Sequence, residues 1–386
     1  MDCSNYISDV VREMKPSGIR KFFDIVAEMK DAISLGVGEP DFITPQHILD
    51  AGIESLKQGH THYTSNWGLI ELRKAISGYM SRRFNLDYDY TSQILVTVGG
   101  SEGIDQCLRS LLNPGDEVLI PEPSYVCYTP MVTLAGGVPK SIRTYAKDRF
   151  KLTPELLKEA ITPKTKVLIL PYPNNPTGGI MNKSDLEKIA DIIRDTNIIV
   201  LSDEIYGELT YSGKHVSIAS LPGMYERTVV INGFSKAFAM TGWRLGFAVG
   251  PEEIIRAMTK VHQYAIMSAP TMSQFAAIEA LNNGDDDIER MREEYNIRRR
   301  MIVDSFNSIG LDCFEPEGAF YVFPSIQKTG LSSEDFCESL LKEKKVAVVP
   351  GNAFGNSGEG FIRASYCYST ENIKKALSLI DEFVNK

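Results

Sequence analysis

The sequence predicts an α/β protein, and three observations carry that reading. Apolar, β-branched runs of strand length stop at glycine or proline: the run after Gln93 ends at Gly99-Gly100, and the run after Lys166 ends at Pro171. Helical spacing follows each, with Ile104, Leu108 and Leu111 after the first and a helix from Ser184 to about Asp195 after the second. A chain of 386 residues allows two domains, or one large α/β domain with an elaboration.

Composition narrows the function classes. Apolar residues at 43% and charged ones at 24% are near the average for a soluble protein with an ordinary core. A formal net charge of −9, with no long basic run, argues against nucleic acid as the main partner and leaves room for a local basic pocket. No apolar stretch approaches the ~20 residues of a membrane span. The start, MDCSNYISDVVREMKPSG, lacks the basic segment and apolar core of a signal peptide. Six cysteines (3, 107, 127, 313, 337, 367) without a C-x-x-C pair, and five dispersed histidines, predict no metal site. Reduced thiols in a cytoplasmic protein are expected.

In chain order, residues 1–30 have helical spacing, with Ile7, Val10, Val11 and Met14 on one apolar face. Pro16-Ser17-Gly18 interrupts the pattern and Ile19–Met29 resumes it. ISLGVGEPDF (33–42) reads as a short strand ending in glycines. Gly36 and Gly38 would let backbone approach a ligand, or simply turn the chain. HYTSNWGLIELRKAI (62–76) begins as a loop and becomes a helix. At Gly99-Gly100 a strand passes into a helix, whose first N–H groups favour an anion. EVLIPEPSYVCY (117–128) is a strand and a proline-rich loop, where the Tyr125 ring suits stacking on a flat ligand.

KVLILPYPNNPTGGI (166–180) is a strand running into the turn-forming string NNPTG. In NIIVLSDEIYGELTY (197–211) the strand Ile198–Leu201 delivers Asp203 to its C-terminal end, where open α/β sheets bind ligands. Next comes TVVINGFSKAFAMTGWRLGFAVG (228–250), two apolar strands around a turn that carries Ser235, Lys236, Thr241 and Arg244. A lysine in an apolar setting tends to lose its proton, and the neutral amine attacks carbonyls. Arg244, eight positions on, offers a fork of donors suited to a phosphate. Charged residues facing water are the commoner outcome. An aldehyde cofactor bearing a phosphate would use both groups.

Residues 253–281 read as mainly helical, 282–287 as a solvated acidic loop, and 288–309 as a long helix stopped by Gly310. EGAFYVFP (317–324) and KVAVVPGNAFG (345–355) read as strands on either side of a helix from Ser333 to Lys344. GFIRASY (360–366) is a strand that points Arg363 to one face.

The string SK-x-F-A-M-T-G-W-R resembles the lysine-bearing segment of class I and II aminotransferases, the pyridoxal-phosphate enzymes of fold type I. L-G-x-G-x-P-D around Gly38, Y-x-x-x-x-G-x-x-x-L-R from Tyr63, NNPTG, S-D-E-x-Y and Arg363 follow in the family's order, from Gly36 to Tyr366. The resemblance implies a mostly parallel central sheet flanked by helices, as a large cofactor-binding domain over 46–285. A smaller α+β domain would come from both chain ends, 1–45 with 286–386.

The resemblance also implies roles. Lys236 would hold pyridoxal 5'-phosphate as a Schiff base and serve as the catalytic base. Asp203 would keep the ring nitrogen protonated, Tyr206 and Asn175 would bond the ring oxygen, and Tyr125 would stack on the ring. Backbone at Gly100, Ser101 and Glu102, with Ser235 and Arg244, would hold the phosphate; Tyr63 would reach the phosphate of a second subunit, making a homodimer. Many such segments carry a further serine where this chain has Gly233. Arg363, Asn175 and the Gly38 N–H would bind the substrate carboxylate.

The implied reaction moves an amino group from an L-amino acid to a 2-oxo acid such as 2-oxoglutarate. Aromatic donors are favoured, because the chain most resembles archaeal aromatic aminotransferases, with Trp67 and Tyr125 as candidate side-chain walls. Aspartate, alanine or acyl-diamino-acid aminotransferase and a C–S β-lyase on the same fold stay open. A non-enzymatic ligand-sensing module is the remote alternative; the full set Asn175, Asp203, Tyr206, Lys236 and Arg244 argues against it.

Overall fold

A computed structural model of the chain describes residues 3–14, 16 and 32–386. After a peripheral strand β1 (Ile33–Ser34), seven strands form the central sheet. They are β2 (Ile94–Thr97), β3 (Glu117–Glu122), β4 (Val138–Arg143), β5 (Thr165–Leu170), β6 (Ile199–Asp203), β7 (Thr228–Gly233) and β8 (Gly246–Val249). Their order is β2-β8-β7-β6-β5-β3-β4; every neighbouring pair is parallel except the two that β8 makes, with β2 and β7. The mostly parallel α/β architecture is as expected.

Strand periodicity sorts the side chains into two layers. Leu95, Val229, Ile231 and Ala248 pack under the helices Gly100–Leu111 and Glu252–Ala265. Ile94, Val96, Val230 and Phe247 face the other way, toward Leu72, Ile76 and Ala276 of the helices Ile70–Phe84 and Thr271–Asn283. With both faces covered, the strands have no polar side to show, which is why they read as continuous apolar runs. The helix Lys183–Ile193 starts with a capping box in which Asn182 and Asp185 satisfy each other's backbone N–H.

A second core lies beside the sheet. β1 pairs in parallel with β10 (Val346–Ala347), while β12 (Ile362–Ser365) lies between β11 (Val349–Pro350) and β9 (Tyr321–Val322). These strands and the helices Asp285–Ile309, Ser333–Lys344 and Thr370–Val384 bury Tyr295, Phe306, Phe320, Phe336 and Ile380 together. The long helix ends at Gly310, whose φ of +94° is the left-handed closure that glycine adopts cheaply.

Three local expectations are revised. The acidic loop over 282–287 is only a break at Gly284: Asp285, Asp286 and Asp287 form the first turn of the long helix, where carboxylates complement the macrodipole. Among the described residues near the start, Ser4–Tyr6 and Asp9–Glu13 are helical, and Ile7, Val10 and Val11 are exposed instead of forming a buried face. The resumed helix expected over 19–29 lies outside the described residues. Between β7 and β8 the chain makes a helical turn, Phe234–Ala237, where a plain turn was expected. No helix among the described residues is long and apolar enough to cross a membrane.

Candidate active site

A cavity of about 640 Å³ opens at the C-terminal ends of the parallel strands, where the sheet meets the second core. β7 and β8 are so close at their ends that a methyl on Gly233 would stand 2.9 Å from the Gly246 Cα. A serine there has no room. The helical turn after Gly233 swings Lys236 into the cavity. Its Nζ donates to the Gly38 carbonyl at 2.8 Å, with the Phe320 and Tyr206 rings 5.6 and 5.9 Å away. Burial pushes the Lys236 pKa down to about 8; Arg363 and Arg244 add to the depression and Glu39 opposes it. Near neutral pH a nucleophilic share of free amine is therefore present.

Asp203 ends β6 and is buried, which raises its pKa; the Tyr128 hydroxyl, donating at 2.7 Å, and the Ile205 N–H, at 3.3 Å, work against that rise. A carboxylate so placed seeks a cationic partner from whatever fills the cavity. The Tyr206 hydroxyl lies 2.8 Å from that of Tyr321, and burial holds Tyr206 far above its ordinary pKa, so it stays a neutral donor. Tyr125 walls one side, edge-on to Tyr128.

An anion cradle forms at one end. The helix Gly100–Leu111 starts from Gly99 at φ +78°, and no side chain caps it, so its first N–H groups remain available. Gly100, Ser101, Ser235 and Arg244 all line the same cavity. The Arg244 guanidinium lies against Gly99, where a methyl would come within 2.6 Å of Nη2. Glu102 turns its side chain away and accepts from the Val98 N–H.

At the other end Arg363 projects from β12 between the buried Ile362 and Ala364. Nη1 donates to Asn175 Oδ1 at 2.9 Å, Nη2 donates to the Gly36 carbonyl, and Nε is buried without a partner. The guanidinium lies over Tyr321 at 4.5 Å and Phe354 at 4.8 Å. Such a fork suits a carboxylate. Gly38 must be glycine, because a methyl there would overlap the Tyr321 hydroxyl.

Of the candidate cofactor- and substrate-binding residues, all but Tyr63, Glu102 and Trp67 line this one cavity. Tyr63 is 80% exposed. Trp67, expected beside Tyr125, does not line it; it packs, half-buried, against the core layer under the helix Gly100–Leu111, with Arg256 5.9 Å from its ring. Sequence reasoning missed Tyr128 and Tyr321. Their partners lie 75 and 115 positions away, and no local pattern marks such a bond. The only signal was that both tyrosines stand inside stretches already quoted, the proline-rich loop and EGAFYVFP.

The set can hold a flat ring with a phosphate on one arm and an aldehyde on another, beside a carboxylate-bearing substrate. The orphaned Arg363 Nε, the uncapped helix start and the buried Asp203 each leave a bonding capacity that such a pair of ligands would fill.

Comparison with known proteins points the same way. The family model for aminotransferase class I and II matches residues 30–380. A Bacillus subtilis protein, YugH, is 54% identical over 99% of each chain. Aspartate aminotransferase of Pyrococcus abyssi is 47% identical over 98% of each. The crystal structure of an aromatic aminotransferase from Pyrococcus horikoshii OT3 superposes with a TM-score of 0.90 at 45% identity, covering 94% of this chain and 98% of that one.

Proposed function

Because the chain belongs to the class I and II aminotransferases, we propose that its cavity takes pyridoxal 5'-phosphate and that its amino donors are L-amino acids, aromatic ones favoured, with a 2-oxo acid such as 2-oxoglutarate as acceptor. One observation carries this reading: the depressed amine of Lys236 shares one cavity with an uncapped helix start, Arg244 and the buried guanidinium fork of Arg363.

When bound, the cofactor supplies an electron sink for charge developing at the substrate Cα. The chain's own residues do the rest. Backbone N–H groups at Gly100, Ser101 and Glu102, with Ser235 and Arg244, hold the phosphate, and Tyr125 flanks the ring. Asp203, steadied by Tyr128, keeps a proton on the ring nitrogen. Asn175 and Tyr206 donate to the ring oxygen. Arg363 and the Gly38 N–H take the substrate carboxylate, which fixes the Cα–H toward Lys236. Lys236 would be the residue that holds the cofactor through its Nζ and, once the substrate amine has replaced it, the free amine that serves as base toward the substrate Cα–H.

The aromatic preference draws support from the Tyr125 and Tyr321 walls and from a relative named as an aromatic aminotransferase; relatives named as aspartate aminotransferases make aspartate the rival donor. The split into a large unit, 46–285, and a small one, 1–45 with 286–386, is part of the same proposal. So is a cytoplasmic homodimer, in which the exposed Tyr63 serves a second copy's cavity.

The test is a half-reaction screen. The yellow holoprotein is mixed with each common L-amino acid, and the rate at which its long-wavelength absorbance fades is ranked. Phenylalanine, tyrosine and tryptophan should lead; aspartate outpacing all three would remove the aromatic preference, no fading with any amino acid would remove the amino-donor assignment, and a chain that takes up no pyridoxal 5'-phosphate would remove the cofactor assignment.

A further inference from the structure

His262 lies outside the cavity, on the far side of the anion cradle. It belongs to the last turn of the helix Glu252–Ala265 and is fully buried. Its Nδ1 stands 2.9 Å from Glu102 Oε1 and 3.1 Å from Gln106 Nε2, and its Nε2 has no partner. Glu102 is the third residue of the helix whose start faces the cavity. Its other oxygen accepts from the Val98 N–H, and the Gln106 amide donates to the same oxygen that faces His262.

This arrangement resembles a capping box whose reach extends one residue further back, to the turn before the cap. It bears on charge as well as geometry. A carboxylate in the first turn of this helix sits close to the place where a phosphate would dock, and two anions in a low-dielectric site repel. Val98, Gln106 and His262 together turn Glu102 away and secure the Val98-Gly99-Gly100 turn that forms the cradle. The carboxylate facing Nδ1 favours the tautomer with its proton there, and the Gln106 amide then gives its hydrogen to Glu102 and not to the ring.

We propose that His262 is a positioning residue for the phosphate end of the cofactor, acting through Glu102: its Nδ1–H holds the carboxylate off the cradle and fixes the strand-to-helix turn whose N–H groups bind the phosphate. The proposal rests on the cofactor reading above. It assigns work to a buried polar pair that the reaction itself does not use.

The experiment compares two probes on the full-length chain freed of cofactor: pyridoxal 5'-phosphate, and pyridoxal, which has the same ring and aldehyde but no phosphate. Binding is followed by the absorbance of the bound aldehyde. His262→Leu should weaken pyridoxal 5'-phosphate about tenfold, as loss of one hydrogen bond to a charged group would, and leave pyridoxal within about twofold of wild type. His262→Asn, whose amide nitrogen falls where Nδ1 does, should keep both affinities. A leucine variant that loses both probes equally, or loses neither, overturns the proposal; so does an asparagine variant no better than leucine.

Should the leucine protein fail to fold, His262→Gln replaces it. Glutamine places its amide nitrogen at the Nε2 end, out of reach of Glu102, so the same phosphate-specific loss is expected and wild-type affinity would refute the idea. A wild-type chain that binds no pyridoxal 5'-phosphate overturns the cofactor reading itself and this inference with it. That result is distinct from variants that fail on a binding-competent background.

Discussion

The Nζ of Lys236 donates to the carbonyl of Gly38 at 2.8 Å, a bond between residues 198 positions apart. It ties the turn after β7 to the glycine-rich segment after β1 and seats the amine where burial lowers its pKa to about 8. Replacing Lys236 by alanine should abolish both the visible absorbance of the holoprotein and its turnover.

The same bond predicts a pH-dependent stability. A lysine whose pKa is lower folded than unfolded binds fewer protons in the native state. The penalty of burying its charge is therefore full below about 8 and fades as pH rises toward 10.5. In the cofactor-free protein Lys236→Met should be more stable than wild type at pH 7, with the gap closing toward pH 10. Urea unfolding at both pH values checks this; a gap independent of pH would remove the argument.

Tyr128 donates to Asp203 at 2.7 Å and so restrains the burial-driven rise of its pKa. Tyr128→Phe leaves a buried carboxylate short of a donor, a loss on the order of 1–3 kcal/mol. Asp203 then takes up its proton at higher pH, so the acid limb of the half-reaction rate should move upward and the rate near neutrality should fall about tenfold. An unmoved limb would show that the tyrosine does not govern Asp203.

Arg363 presents a planar fork stacked over Tyr321 at 4.5 Å. Lysine keeps the charge but loses the paired donors and the flat face. Arg363→Lys should lower kcat/KM for amino acids roughly 10–100-fold while leaving the holoprotein's absorbance unchanged. Equal losses in cofactor and substrate binding would reassign the arginine.

Gly38 leaves no space for a methyl, because Tyr321 fills it, and the Tyr321 hydroxyl is itself 2.8 Å from that of Tyr206. Gly38→Ala should destabilise the protein by about 1–3 kcal/mol through overpacking. Tyr321→Phe in the same chain should recover part of that loss, since the worst overlap is with the hydroxyl. Strictly additive effects in the four-way comparison would show that the two positions do not meet.

The sequence by itself determined the α/β class, the strand-to-helix units and most of the polar residues that line the cavity. Strand periodicity, glycine stops and the strings around Lys236, Asp203 and Asn175 are local properties, and local order survives in the letters. It also marked the helix stop at Gly310, where a left-handed residue is needed. What only the tertiary structure decided are the contacts between distant segments. These are Tyr128 on Asp203, Tyr321 against Gly38 and Tyr206, His262 behind Glu102, and the lack of room for a side chain at Gly233. Tertiary packing also set the Asp285–Asp287 run at a helix start, where composition alone suggested a solvated loop. The physical reason is that periodicity states which way a side chain points, whereas its partner is chosen by how the layers close on one another.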